Sequence, residues 1–167
     1  MTRALNVVLG VIVVVLVAWL VAFAVRGSVA APGRTPAEER AHELTEVRQA
    51  ARGEAVAFLT IDHRDMDRVT NRVLAGATGA FKKQYQSSAK VLKETAVSQE
   101  SVAKGYVKEI GIGTLDRDSA TVFVSAGSKV KNKGTEGKVE DRTWRMRFEM
   151  TKVDDDRWLV SQLEFVS

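Results

Sequence analysis

The sequence predicts an α+β protein, in which an N-terminal transmembrane helix precedes about three helices packed on a curved four-stranded antiparallel sheet. The first 26 residues are almost entirely apolar. Apolar residues then recur every three or four positions as far as Ser98, and beyond it they alternate with polar ones. Helical and strand patterns that follow one another in this way are typical of α+β domains with helices on one face of the sheet.

The amino-terminal segment is long enough to span a bilayer once. Residues 7–25 contain no charged or strongly polar side chain, and a helix of about 20 such residues crosses the hydrocarbon core. We therefore predict a transmembrane signal anchor at residues 1–26, a linker at 27–34 and an α+β domain at 35–167. Long carboxyl-terminal domains translocate largely regardless of charge, so this domain is expected outside the cytoplasm. A signal peptide cleaved after Ala24 or Ala31 is the alternative, and it exports the same domain.

Composition excludes several functional classes. The chain has no cysteine, so disulfides, thiolate metal sites and a cysteine nucleophile are ruled out. Of 25 Lys and Arg residues, only Arg3 and Arg26 fall in the first 26 positions, whereas all 21 acidic residues come later. The exported part therefore carries a net charge of only about +2, which does not resemble the basic surface of a nucleic-acid-binding domain.

Three helices are predicted before Ser98. Thr35 and Glu38 form a capping box around Pro36, and the first helix should run to about Ile61. Asp65 is placed to cap a second, short helix, and a third should cover residues 79–95. The residues predicted to face inward are Leu44, Val47, Ala51, Ala55, Phe58 and Leu59, then Met66, Val69, Val73 and Leu74, then Phe81, Tyr85, Ala89 and Leu92.

Four strands are predicted in the second half, at about residues 101–114, 120–131, 138–153 and 157–166. The third has the clearest alternation, because Trp144, Met146, Phe148 and Met150 share one side while charged and hydroxyl residues share the other. We expect Trp144 and Phe148 to lie in the core. Gly105, Gly111 and Gly113 in the first strand indicate bulges or curvature.

Three stretches resemble a known family. They are Leu-Thr-Ile-Asp-His-Arg-Asp-Met-Asp at residues 59–67, Ala-Thr-Gly-Ala-Phe at 77–81 with Tyr85, and Lys-Val-Asp-Asp-Asp-Arg-Trp-Leu-Val at 152–160. In this order they resemble the Mce-associated membrane proteins of mycobacteria and their actinobacterial relatives. Those proteins are similar in architecture to the single-pass inner-membrane component of type IV secretion systems, whose periplasmic domain is a nuclear transport factor 2-like cone.

The resemblance implies a function and a class of partner. It suggests a non-enzymatic accessory protein that assembles with or stabilises an Mce-type lipid or sterol import complex through its transporter subunits or related accessory proteins. No cofactor, metal or nucleic acid is expected. The alternative is a lipid-binding carrier domain at the cell envelope, with a lipid held in an apolar cavity lined by Phe58, Tyr85, Trp144, Phe148 and Phe165.

Few residues are candidates for catalysis or metal binding. Asp62, His63, Asp65 and Asp67 form the densest polar cluster, but they lack the spacing of a calcium loop, and capping and local ion pairs explain them more simply. On a cone of this kind Asp62 or Glu164 is a candidate base, by analogy of fold alone. The turn at residues 154–156 is an ion-binding candidate of the same weak kind.

A lysine-rich hairpin is the remaining candidate surface. Its members, Lys129, Lys131, Lys133 and Lys138, form either a solvated loop or a surface for an anionic lipid, wall polymer or partner. We expect no catalytic residue in the chain, since neither histidine has a partner at a recognisable spacing.

Overall fold

The computed structural model describes residues 35–153 and 156–166. The helices are α1 (Pro36–Phe58), α2 (Met66–Gly76) and α3 (Gly79–Ser98). The strands are β1 (Ile61–Asp62), β2 (Val102–Leu115), β3 (Ser119–Lys131), β4 (Glu140–Lys152) and β5 (Trp158–Phe165), and a 3-10 helix at Lys133–Thr135 follows β3. The predicted anchor and linker, residues 1–34, lie outside the described residues. No helix within the described ranges combines the length and the apolar character needed to cross a membrane.

The sheet has five antiparallel strands in the order β1-β2-β3-β4-β5, so the prediction of four was wrong by one. The additional strand, β1, has two residues, and Ile61 lies opposite Ala103. The first helix consequently ends at Phe58 instead of about Ile61, because the chain must become extended to pair with β2. A two-residue strand is too short to produce a detectable alternation.

The predicted helix starts are confirmed. The Glu38 N–H donates to Thr35 Oγ1 at 3.3 Å, and the Thr35 N–H donates to Glu38 Oε2 at 2.7 Å. The Asp65 side chain accepts from the Arg68 N–H at the start of α2. Helix α3 extends to Ser98, beyond the predicted end, and Leu92 is 39% exposed where an inward position was expected. Near its end, Ala96 is the buried residue.

One cluster of buried side chains joins the helices to the inner face of the sheet. Met146, Phe148 and Met150 of β4 are almost completely buried, which confirms the predicted alternation of this strand. They pack with Val122 and Val124 of β3 and with the apolar side chains of the three helices. A second, smaller cluster contains Met66, Val69 and Ala96, with Ile61 packed against it.

The sheet is bent where its pairing register shifts. Two shifts occur in β2, between Val107 and Glu109 and between Ile112 and Thr114, so the predicted irregularity of this strand is confirmed. Gly105 has a different role. A Cβ atom at Gly105 would lie 2.8 Å from the Leu59 Cβ, so glycine allows the end of α1 to approach β2 closely. That approach positions the residues that follow α1.

Candidate functional site

The side chains predicted to line an apolar cavity largely contact one another. Phe58, Phe81, Tyr85, Trp144 and Phe165 form a cluster of rings, called here the aromatic cluster, with neighbouring centroids 5.5–6.2 Å apart. Phe148 lies in the core, fully buried. The cluster connects α1 and α3 to β4 and β5, so rings occupy this part of the space between helices and sheet. Tilted ring pairs at these separations are stabilising.

The aromatic cluster has one exposed member. Phe165 lies near the end of the last strand and is 55% exposed, although its ring contacts both Phe58 and Trp144. Trp144 is half-buried, and its indole Nε1–H donates to Ser128 Oγ at 3.0 Å. The sequence therefore identified rings that share one region, but not that Phe165 would cover its edge.

A buried carboxylic acid lies next to this region. Glu54 of α1 is only 3% exposed, and its Oε1 has no hydrogen-bond partner among the described residues. Burial raises the pKa of Glu54 to about 8, because removal from water disfavours the charged form. Burial also raises the pKa of Tyr85, and the nearby Glu54 carboxylate adds to that increase.

Glu54 fits here because residue 76 is a glycine. A Cβ atom at Gly76 would lie 1.9 Å from Glu54 Oε2, so any larger residue at the end of α2 would displace the carboxyl group. Glu54 was not among the residues predicted from the sequence, although a signal was present. Val47, Ala51, Glu54 and Phe58 follow steps of four, three and four, which places the acid on the apolar stripe of α1.

The acidic cluster after α1 is held in separate ion pairs. Asp62 accepts from Arg64 Nε and Nη2 at 2.8 Å each, and these hydrogen bonds lower its pKa to about 2. Asp65 is paired with Arg68 at 2.8 Å, and Asp67 with Lys93 of α3 at 2.7 Å. Across the described ranges, no group of three or more His, Cys, Asp or Glu residues is arranged to hold a metal ion.

A cavity of about 200 Å³ lies beside this acidic segment, and we call it the rim cavity. Its apolar walls are Ala57 of α1, Ile61 of β1, Val69 of α2, and Val102 and Ala103 of β2. Thr60 also lines it, and its hydroxyl donates to the Val56 carbonyl at 2.6 Å. Asp62, Arg68 and Arg72 supply the charged part of its lining. The cavity thus combines an apolar interior with guanidinium groups.

The two arginines differ in their partners. Arg68 donates from Nε to Asp65 Oδ2 at 2.8 Å, and within residues 35–153 and 156–166 its Nη groups have no hydrogen-bond partner. Arg72, one helical turn later, forms neither a hydrogen bond nor an ion pair with any described residue. Both side chains are exposed. The rim cavity therefore has guanidinium donors that remain available to an acidic group.

The four lysines of the predicted surface do not form one continuous group, because they have different neighbours. Lys133 turns back to the end of α3, where its ammonium is 3.0 Å from Glu100 and donates to the Ser98 carbonyl. Lys138 is 3.9 Å from Glu136, and Lys129 lies opposite Asp141 of β4.

Lys131 and Lys133 line a second, polar cavity of about 470 Å³, together with His63, Glu100 and Glu136. Val102 lines both cavities, which are therefore adjacent.

Glu164 is on the wrong face of the sheet to act as a base inside the cone. It is exposed and lies 3.7 Å from Arg147, opposite the buried side of β4. The expectation that Glu164 could act inside the cone is incorrect, because the register shift near Glu149 turns residues 162 and 164 outward. The predicted turn at 154–156 includes residues 154–155, which lie outside the described residues.

The fold resembles that of several solved structures. An IcmL-like type IV secretion system protein from Legionella pneumophila has a TM-score of 0.60 and 12% identity, over 73% of this chain and 91% of that one. The periplasmic domain of DotI has a TM-score of 0.58 and 11% identity, over 82% of this chain and 99% of that one. At these identities the likeness shows the fold alone.

Two further structures establish the fold class. An Ntf2-like protein involved in plasmid conjugation has a TM-score of 0.50 and 12% identity, over 75% of this chain and 49% of that one. A ketosteroid isomerase-like protein from Erwinia carotovora has the same TM-score at 20% identity, over 75% and 97%. The nuclear transport factor 2-like fold implied by the resemblance is therefore confirmed. Its neighbours include secretion proteins and isomerase-like proteins.

Sequence comparison identifies the family. The uncharacterized protein Rv1363c of Mycobacterium tuberculosis is 27% identical over 132 residues, which cover 75% of this chain and 50% of that protein. The chain thus spans about half the length of this curated relative. The profile of one family matches residues 5–167, and the chain belongs to that family, described as "Uncharacterized protein Rv1363c/MT1408-like".

Proposed function

We propose that this member of the Rv1363c/MT1408-like family is a non-enzymatic, single-pass membrane accessory protein that assembles with or stabilises an Mce-type lipid or sterol import complex. The segments at residues 59–67, 77–81 and 152–160 support the choice of partner, because they resemble Mce-associated proteins. The domain from residue 35 onward is placed outside the cytoplasm. The likeness to a domain described as periplasmic supports that location.

The observation that carries the proposal is that aromatic side chains occupy the space between the helices and the sheet. The five rings of the aromatic cluster pack against one another between the helices and the sheet. A cargo carried in this region would have to displace rings that stabilise the fold. Glu54, whose raised pKa is typical of an acid-base catalyst, is 3% exposed and closely packed beside Gly76, so a substrate has little access to it. Both features favour action through the surface.

A lipid-binding carrier remains the second candidate because of Phe165. This ring is 55% exposed at the edge of the aromatic cluster, so its displacement would open a path to Phe58 and Trp144. An acyl chain that replaced Phe165 would retain the apolar contacts of those rings. The carrier therefore requires movement of one side chain, and it predicts lipid bound in stoichiometric amounts.

A pull-down in mild detergent distinguishes these functions. The full chain, tagged at its carboxyl terminus, is isolated from its native membranes, and both proteins and lipids are identified by mass spectrometry. The matched control is the same domain exported from residue 27 onward without the predicted anchor. We expect Mce subunits with the full chain and few with the control, because tethering supplies a high effective concentration. One lipid per chain without Mce subunits would support the carrier instead.

A further inference from the structure

We propose that the rim cavity docks a partner protein, which inserts one apolar side chain between α2 and β2 and places a neighbouring carboxylate on Arg68 and Arg72. This inference rests on the proposed function, since it specifies how the accessory protein holds its partner. The surface concerned is the rim cavity together with the adjoining polar cavity.

The apolar walls of the rim cavity would bind the apolar side chain of the partner. Val69 belongs to the small second cluster and Ile61 packs against it, whereas Ala57 belongs to the main core. Ala103 is buried at 5% exposure. The cavity is therefore a gap between two packed clusters, open to solvent beside Val102, which is 36% exposed. An apolar side chain entering it would be removed from water on several sides, which is the environment of an interface anchor.

The guanidinium groups supply the second part. Arg68 is fixed through Nε by Asp65, so its Nη groups are oriented without being used. Arg72 has no hydrogen bond or ion pair with a described residue, and both arginines line the same cavity. Arginine forks match the geometry of a carboxylate. The remaining acid of the lining, Asp62, is already engaged by Arg64 and does not compete for them.

The surroundings favour a protein over a free small molecule. At about 200 Å³ the rim cavity is smaller than the roughly 300–1,000 Å³ usual for small-molecule sites. Beyond Val102 the surface continues into the polar cavity, whose lining includes His63, Glu100 and Lys131. A small apolar pocket bordered by an extended polar rim is the arrangement found in protein interfaces.

The spacing of the arginines makes a sharp test possible. Arg68 and Arg72 are at positions i and i+4 of α2, where like charges repel and opposite charges attract. In Arg72→Glu the new carboxylate pairs with Arg68, so the helix is kept while both recognition groups are lost. The matched control is Arg48→Glu, the same charge reversal at an exposed position of α1 that does not line either cavity.

The experiment uses photo-crosslinking in the full, membrane-resident chain. A photoreactive amino acid replaces Lys104, which is exposed on β2 two residues from Val102 and does not line the rim cavity. The same amino acid at Val91, 64% exposed on α3, reports nonspecific contacts. Crosslinked peptides are sequenced by mass spectrometry, and a thermal melt of each variant checks folding.

We expect a crosslink from position 104, absent from position 91, to a segment with Asp or Glu within a few residues of a large apolar side chain. Arg72→Glu should reduce it at least about tenfold, while Arg48→Glu leaves it unchanged. A crosslink that survives Arg72→Glu in a folded chain overturns the inference, as does one to lipid alone or to a segment without an acidic residue.

The result also separates the two proposals. If Mce subunits co-purify but position 104 captures no protein, docking at the rim cavity is wrong and the proposed function stands. If position 104 captures an acidic segment of a different membrane protein in an Arg72-dependent manner, the docking site is correct and the Mce association is wrong. If nothing co-purifies and nothing is crosslinked, both proposals fail.

Discussion

The aromatic cluster and the rim cavity are both lined by apolar side chains, but the ionisable groups beside them differ in solvent access. The acid next to the aromatic cluster is buried, whereas the arginines at the rim cavity are exposed. Glu54, a buried acid of α1 next to the rings, has its pKa raised to about 8, so it is largely neutral at pH 7. At the rim cavity, the guanidinium groups of Arg68 and Arg72 have donors without partners among the described residues. Neutralised charge is typical of an interior built for stability. Available charge beside an apolar pocket is typical of a surface built for recognition.

The comparison also separates two kinds of acidic residue. Asp62, Asp65 and Asp67 form a dense acidic cluster in the sequence, yet each is paired with a nearby cation. Glu54 is inconspicuous in the sequence, yet burial raises its pKa to about 8. Solvent access, more than the density of charged residues along the chain, decides which acid is perturbed.

The largest effect is expected from removal of the interior. Phe148→Ala should lower the free energy of unfolding by about 3–5 kcal/mol, because the ring is fully buried and its loss leaves a cavity. Chemical denaturation followed by circular dichroism measures this change. An unshifted transition would show that the buried face of β4 is assigned incorrectly.

The second effect depends on pH and concerns Glu54. Its folded pKa of about 8 is above the unfolded value of 4.5, so the folded state retains a proton that the unfolded chain releases between these values. Stability is therefore full below about pH 4.5 and falls as pH rises to 8. The loss between pH 5 and pH 8 should be on the order of 2–4 kcal/mol.

Glu54→Gln should remove most of that pH dependence, since the amide cannot ionise. Glu94→Gln, at an exposed position of α3, provides the control and should keep the wild-type dependence. Denaturation curves at pH 5, 6.5 and 8 are sufficient. Equal slopes for wild type and Glu54→Gln would mean that Glu54 is ionised and solvated in the folded protein.

A smaller effect on stability is expected at Asp65, which caps α2 and pairs with Arg68 beside the rim cavity. Asp65→Ala removes the side-chain cap of α2 and the ion pair that orients Arg68, so it should lower the denaturation midpoint by less than Phe148→Ala does. A Thr45→Ala change provides a comparison, because that exposed hydroxyl only bonds within its own helix. If Asp65→Ala lost more stability than Phe148→Ala, the distinction between a stabilising interior and an exposed rim would be contradicted.

The smallest effect on stability is expected at Arg72. Arg72→Ala should change the free energy of unfolding by no more than about 0.5 kcal/mol, because its side chain is exposed and has no partner among residues 35–153 and 156–166. A melting curve measured beside that of Arg48→Ala checks this. A large loss would show that Arg72 has a structural role, and it would weaken its assignment to docking.

Much of the fold could be predicted because its signals are local. The capping box at Thr35, the Asp65 cap and the alternation of β4 each follow from residues within one turn or one strand. The predicted strands also correspond to β2, β3, β4 and β5. The short β1 was missed because only its pairing with Val102 and Ala103, 40 and 42 positions later in the chain, makes it a strand.

The site was harder to predict, since it depends on contacts between elements. The sequence named Phe58, Tyr85, Trp144 and Phe165 as the lining of a possible cavity, but it gave no measure of how far these rings contact one another. It placed Glu164 in the cone because it could not locate the register shift of β5. The rim cavity requires α1, α2, β1 and β2 together, so neither Arg72 nor Val102 has a local signal.

If the protein acts through the rim cavity and not through Glu54, lipid uptake should depend on Arg72 and not on the buried carboxyl group. The most direct test is complementation of lipid uptake in a strain lacking this protein, by full chains carrying Glu54→Gln or Arg72→Glu at equal membrane abundance. We predict that Glu54→Gln restores uptake and that Arg72→Glu does not. Uptake restored by Arg72→Glu and abolished by a folded Glu54→Gln protein would contradict the account and indicate chemistry or cargo binding in the interior.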